Sequence, residues 1–479
     1  MRGVGGRVIR NTLWLVLQRT GGRLLTFLLM IYLARGLGSL GFGKFMFANS
    51  FTLLFITLSD VGITSLTIRE VARHKEKGPE YVGRFATLKI FLSICAFLVI
   101  SISLAFMNVP ADTRVAAYLI GGSMLFRNMA GFFGAVFQAY EEMKYVTITE
   151  IGQRCLLFSL CLLLLYQGYG LISIGLAYLF SGVFHCFLNL GFVYQKFLKP
   201  QYRVDRQFWR EALKEGFPLA LVAVISMIYY NIDMVMLGKM KGEEVAGWYG
   251  ASYHLFFALA TLTGAFLAAV FPVMSRFFEE SEELLNKAYQ KSFEVMIVVG
   301  LPISIGGFLL SEKIILLLFG PQYHESVAIL KVFSLLIIFS YLNGLGGYFL
   351  TSINRQALSA KILAATAGIN VGLNFLLIPS YSYMGAAYAT VVSEVLFFIL
   401  FFVSLPGKFR YLPGAKIGKS MISSAIMGTL VILMIKNGFG LPSIIVVGAI
   451  TYSICVWVTG YITRDEKAEL QKIFQGKSA

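Results

Sequence analysis

The sequence is poor in charge. Only 14% of its 479 residues are Asp, Glu, Lys or Arg, where a soluble domain carries about 25%, and the acidic kind is scarcer, 25 against 41 basic residues. Dense Lys/Arg runs are missing too, which removes nucleic acid as a partner despite a net charge of +16. No gap between the apolar stretches is long enough to fold into a soluble module. The five cysteines, Cys95, Cys155, Cys161, Cys186 and Cys455, all fall inside apolar stretches, so they read as small buried residues and not as a disulfide framework. There is no G-x-x-x-x-G-K-[ST] phosphate loop, hence no ATP hydrolysis by this chain. No His/Cys cluster has metal-ligand spacing.

What is present is apolar length: 57% of the residues are hydrophobic. They fall into 14 stretches between residues 11 and 463, each near the roughly 20 residues that a helix needs to cross about 30 Å of hydrocarbon. The reading is an all-α integral membrane protein with 14 transmembrane helices. The first stretch, 11–34, is too long for a signal-peptide core and reads as retained. With the N-terminus inside, the intervening segments place 28 basic residues on the cytoplasmic side and 8 outside. That asymmetry puts both termini in the cytoplasm of a cell-membrane protein. The tail, 464–479, is expected to carry a short interfacial helix over 464–475, with Leu470, Ile473 and Phe474 toward the headgroups.

The chain repeats itself weakly. Leu37-Gly38 followed by GKF (43–45) corresponds to Leu237-Gly238 followed by GWY (247–249), and GLAY (175–178) corresponds to GAAY (385–388). The near-constant offset divides the chain into two parallel six-helix lobes, 1–194 and 216–404, joined by a cytoplasmic linker, 195–215. Residues 405–463 form two further helices. Transporters built from such repeats bind substrate near the midplane between the halves.

Ionisable residues at mid-membrane are costly, about 2.5–3.5 kcal/mol each on insertion scales, and each is a site hypothesis by default. Arg19 and Arg23 share one face of the first span, Arg127 is central in the fourth and Arg154 in the fifth. Together they suggest a cationic wall suited to bidentate recognition of phosphate. Glu150, four residues before Arg154, offers a local pairing instead. Lys89 reads as snorkelling to the inner interface, and Asp60 as pairing with the basic loop that follows it. His185 and His254 read as satisfied packing residues. In the second half the sign reverses: Asp233, Asn370, Asn374 and Thr390 lie toward the outer ends of their spans, as oxygen ligands for a small cation or as interhelical hydrogen-bond glue. Glu394, central in span 12, is a second carboxylate candidate.

The segments SDVGITSLTIREVAR (59–73), FQAYEEM (137–143), YYNIDMVMLG (229–238) and GWYGASY (247–253) resemble the polysaccharide-biosynthesis branch of the multidrug/oligosaccharidyl-lipid/polysaccharide exporter superfamily, over the whole chain. The resemblance implies a flippase that moves polyprenyl-diphosphate-linked oligosaccharide from the inner to the outer leaflet by alternating access, and no enzymatic activity. It places Arg19 and Arg23 in the substrate cavity. It also implies a sodium site at Asp233, Asn370 and Thr390, with Asn374 standing where related flippases have an Asp, so that coupling to Na⁺ or H⁺ is left open. The expected partners are the lipid-linked glycan, membrane lipids and other polysaccharide-assembly proteins. Two rivals remain: a drug or cation antiporter of the same fold, against which the arginines of the first span argue, and a membrane glycosyltransferase or polymerase, against which the short outer loops argue.

Overall fold

The computed structural model describes residues 2–461. Among them there is no strand, and twelve helices are long and apolar enough to cross a membrane. The all-α membrane architecture expected from the apolar stretches is the one the chain adopts. In chain order the helices are α1 (Arg2–Ile56), α2 (Ile63–Arg73), α3 (Gly78–Phe106), α4 (Ala111–Ala139), α5 (Met143–Tyr166), α6 (Leu171–Phe192), α7 (Arg206–Lys241), α8 (Glu243–Ala260), α9 (Gly264–Glu280), α10 (Glu282–Leu318), α11 (Ser326–Ser352), α12 (Gln356–Ser404), α13 (Gly414–Lys436) and α14 (Leu441–Val458).

Two of these are too long for one crossing. At 1.5 Å per residue the 55 residues of α1 would reach about 80 Å, and α12 has 49. Each is broken by one non-helical residue. Gly38 (φ 71°) separates the stretches read at 11–34 and 42–64. Ser382 (φ 53°, ψ −133°) separates those read at 357–378 and 384–404. The bend at Ser382 draws the chain so close that a Cβ on Gly385 would stand 2.4 Å from the Leu377 carbonyl oxygen. Conversely, α8 and α9 continue one another through a 3-10 turn at Thr261–Thr263, and α2 is a short amphipathic helix. α7 starts at Arg206, capped by Asp205, whose carboxylate accepts from the Phe208 amide at 3.1 Å.

The chain forms two compact units. The first takes residues up to Gly250 together with Val371–Ala386, the second Ala251–Asn370 together with the chain from Ala387. In the first unit, α1 and α5 run parallel: Thr147 donates to the Trp14 carbonyl at 2.9 Å, the Tyr32 and Phe158 rings lie edge to face at 5.9 Å, and Gly36 lies against Leu165. The repeat-related glycines meet here. A Cβ on Gly43 would lie 1.6 Å from the Glu243 carbonyl oxygen, and one on Gly247 would lie 2.1 Å from that of Ser39, so both positions require glycine. Around them Ser39 donates to Glu244 at 2.8 Å, Thr113 to Glu243 at 2.5 Å and Lys44 to Asp112 at 2.5 Å. In the second unit, α13 and α14 pack on α10 through Met427, Val431, Ile444, Tyr452 and Leu310. Tyr452 donates to the Val298 carbonyl and Tyr461 to that of Glu294, while the Glu294 carboxylate receives Lys416 at 2.6 Å and Tyr411 at 2.6 Å.

Candidate functional site

The register between helices places all four candidate arginines at one level. On α5, Arg154 donates through one guanidinium nitrogen to both the Gly22 carbonyl and the Thr26 hydroxyl of α1, each at 2.8 Å, which sets Arg154 beside the turn carrying Arg19 and Arg23. α5 and α6 are antiparallel: Thr149 bonds Asn189 at 3.2 Å and Gln153 bonds Ser181 at 3.2 Å. α4 and α6 are parallel: Ser123 donates to the Tyr178 carbonyl at 2.6 Å, and Gly182 packs on Ser123. One turn further along that pair, Arg127 reaches the depth of His185. The charge of Arg127 acts on both Glu150 and His185. Every one of these positions is near the middle of its helix.

The four differ in what they touch. Arg19 and Arg23 are exposed and Arg127 half-buried, and among the described residues neither Arg19 nor Arg127 makes a hydrogen bond or ion pair. Arg154 is fully engaged. It pairs with Glu150 at 2.7 Å in addition to its contacts with α1, and a Cβ on Gly22 would collide with its guanidinium at 3.0 Å. The local pairing offered by the i, i+4 spacing is present, and it aims Arg154 at α1. A guanidinium inside an apolar span is costly unless water, an anion or a protein partner meets it, and its planar fork of donors suits bidentate recognition of a phosphate oxyanion.

The acidic candidates are buried. Asp233, only 4% exposed, accepts from the Tyr249 hydroxyl at 2.8 Å and from the Asn374 amide at 2.7 Å, all within the first unit. Tyr249 escaped the sequence reading as a site residue although it lies in the GWYGASY segment; only its arrival sixteen residues along, facing Asp233, marks it. In the second unit Asn370 and Thr390 are buried. There Glu394 accepts from the Asn343 amide at 2.7 Å, while the Asn343 side-chain oxygen is buried without a partner. Asn343 lay in an apolar stretch with no charge near it in sequence, and nothing but the fold pairs it with Glu394.

Four expectations are corrected. Lys89 does not snorkel: it is fully buried, ion-paired with Asp60, hydrogen-bonded to Thr64 at 3.0 Å, and 5.6 Å from the Phe132 ring centre. Asp60 thereby pairs with α3, not with the basic loop after it. The reason is the left-handed turn at Val61 (φ 42°) and Gly62 (φ 75°), which folds α2 back beside α3. Of the five cysteines expected to be buried, Cys161 and Cys186 are, Cys95 and Cys455 are half-buried and Cys155 is exposed, because a helix at the edge of a bundle turns only one face inward. The Nδ1 of His185 is buried without a hydrogen-bond partner, so that residue is not a satisfied packing histidine. The interfacial helix expected over 464–475 lies outside the described residues.

Comparison with known proteins places this geometry in context. Residues 8–278 match the family described as "Polysaccharide biosynthesis protein", and residues 218–376 match the MatE family. A Shigella flexneri protein named putative O-antigen transporter is 23% identical over 405 residues, which cover 81% of this chain and 95% of that one. A Haloferax volcanii protein named probable low-salt glycan biosynthesis flippase is 22% identical over 457 residues, 91% of each chain. The fold is similar to that of the lipid II flippase MurJ in an inward closed conformation, with a TM-score of 0.77 at 16% identity over 94% of this chain and 99% of that one. It is also similar to an inward-facing multidrug resistance MATE family transporter of the MOP superfamily, with a TM-score of 0.66 at 14% identity over 80% and 94%.

Proposed function

The chain belongs to the polysaccharide biosynthesis protein family, and from that premise we propose that it flips polyprenyl-diphosphate-linked oligosaccharide from the inner to the outer leaflet of the cell membrane by alternating access, without enzymatic turnover. The observation that carries this reading is the level of arginines on α1, α4 and α5, with Arg19 and Arg23 exposed on α1. The diphosphate is neutralised by Arg19, Arg23 and Arg127, with Arg154 oriented toward them by Glu150, and the lipid tail stays in the bilayer. The six-helix lobes 1–194 and 216–404 are the parts that alternate, and both termini are cytoplasmic. Two negative charges leaving an inside-negative cell gain about 4.6 kcal/mol per 100 mV, so no ATP is needed. A cation exporter would need carboxylates at this level in place of guanidinium groups.

For resetting the carrier we infer a monovalent cation. The oxygens of Asp233, Tyr249 and Asn374, all in the first unit, suit Na⁺, because hard cations prefer such ligands. Glu394 beside Asn343 suits a proton. When bound, the cation would supply charge compensation for the buried carboxylate.

The test is a proteoliposome assay in which a lipid-linked oligosaccharide on the inner leaflet becomes accessible to a membrane-impermeant oxidant of sugars. The wild-type protein exposes the inner pool with the glycan intact, and the Arg19→Ala, Arg23→Ala double variant does not. Unchanged export by the double variant would overturn the site. A newly formed glycosidic bond in the product would overturn the flippase reading itself.

A further inference from the structure

His185 is the one ionisable group in the α4–α5–α6 polar core whose surroundings the transport reading leaves unexplained. Its neighbours on α6 are satisfied: Ser181, one turn before it, accepts from Gln153, and Asn189, one turn after it, accepts from Thr149. Those two bonds bracket His185 on one helix and Glu150 on the other, so the imidazole faces the turn of α5 that holds Glu150. The ring is 4% exposed, its Nδ1 is buried without a partner, and among the described residues it makes no side-chain hydrogen bond. A polar atom left so in a packed core costs free energy unless another state of the molecule uses it.

The charges that face it come from two helices. Glu150 and Arg154 lie on α5 and Arg127 on α4, and among the described residues no other charged group acts on it. Arg154 is anchored to α1 at Gly22 and Thr26, beside the turn of Arg19 and Arg23. On α6 itself Tyr178 is two turns away and fully enclosed. Lys89 of α3 is consumed by Asp60. The charges that act on His185, Arg127 with the Arg154–Glu150 pair, sum to one positive charge, which opposes protonation of the imidazole until an anion offsets it.

We propose that His185 is a proton site linked to diphosphate binding: neutral while Arg127 is uncompensated, it takes a proton from water as the diphosphate oxygens settle on that guanidinium. The bound anion offsets the repulsion from Arg127, and Glu150 faces the protonated ring. Proton and diphosphate then strengthen one another's binding by the same factor, as linkage requires. No bond other than N–H forms. The inference rests on the arginine level being the diphosphate site.

Isothermal calorimetry of the full chain in detergent, titrated with farnesyl diphosphate between pH 5.5 and 8.5 in buffers of different ionisation enthalpy, tests it. His185→Gln in the same buffers cancels the ligand's own titration. The wild-type protein takes up to one proton more per diphosphate than the variant, and its affinity falls up to tenfold more per pH unit as pH rises. Equal proton uptake and parallel pH profiles in the two proteins overturn the inference while leaving the diphosphate site intact. A uniform loss of affinity at all pH values, with uptake unchanged, reduces His185 to a packing role and overturns it equally. Absence of farnesyl diphosphate binding to the wild-type protein at any pH overturns the underlying site reading instead. Should His185→Gln not purify, His185→Asn gives the same comparison.

Discussion

The first unit treats buried charge in two opposite ways. In the N-terminal half of α3, Lys89 and Asp60 neutralise one another in a pocket closed by Thr64 and Phe132. At mid-membrane level, Arg19 and Arg23 are exposed and Arg127 is only half-buried. A closed pair has no capacity left for a ligand, and its removal is felt as stability. Arg19, exposed and without a hydrogen bond or ion pair among the described residues, contributes little to the fold, and its removal is felt as transport. Arg154 stands between the two kinds, paired with Glu150 and locked to α1 yet level with the open arginines.

Breaking each side of that comparison gives a graded series. The largest effect is expected from Arg19→Ala with Arg23→Ala, which should bring glycan export to background while the protein stays folded, the Arg19→Ala change alone shifting unfolding free energy by no more than about 0.5 kcal/mol; export assays and thermal melting of the same preparations check both. Lys89→Ala should do the reverse. Leaving the Asp60 charge buried and unpaired costs about 3–5 kcal/mol, seen as loss of folded protein, and Asp60→Asn with Lys89→Met should recover most of it. Arg154→Lys lies between, losing the hydrogen bonds to α1 at about 1–2 kcal/mol and a part of export, measured by melting and flux together. A smaller, ligand-dependent signal is expected at Asp233: if the carboxylate with Tyr249 and Asn374 holds Na⁺, Asp233→Asn removes the rise in melting temperature that Na⁺ gives over K⁺.

The smallest effect concerns an ion pair outside the membrane. Glu215 at the start of α7 accepts from Arg69 of α2 at 2.5 Å, and that guanidinium holds its carboxyl below the ordinary value. A depressed folded-state pKa means that the stabilisation is present above the ordinary carboxylate range and lost as pH falls through the lowered value. Melting temperature should therefore drop slightly more on acidification in the wild-type protein than in Glu215→Gln. Screening by solvent and salt keeps the difference small.

Much of the architecture was legible because a bilayer imposes a length and an apolarity that appear directly in the residue order. The arginines were legible for the same reason: a charge inside an apolar run stands out. The residues that complete the carboxylate sites and the polar core did not stand out. Asn343, Tyr249 and His185 are ordinary residues in apolar or mixed stretches, and what distinguishes them is the neighbour brought from another helix. Lys89 was misread because a long basic side chain near a span end has two outcomes, snorkelling or burial, and the left-handed turn at Val61 and Gly62 selects burial by presenting Asp60. The repeat was legible as a pattern of glycines, but the reason for glycine at 43 and 247 is a backbone approach too close for a Cβ.

By itself the sequence determined the solvent of this protein, the helical class, and the sign of charge at mid-membrane, because each follows from local composition over about 20 residues. The tertiary structure decided which of those charges are closed and which are open. That choice depends on the register between helices far apart in the chain, and register is set by packing and by the hydrogen bonds of residues such as Ser123, Thr149 and Gln153, whose identities alone carry no address.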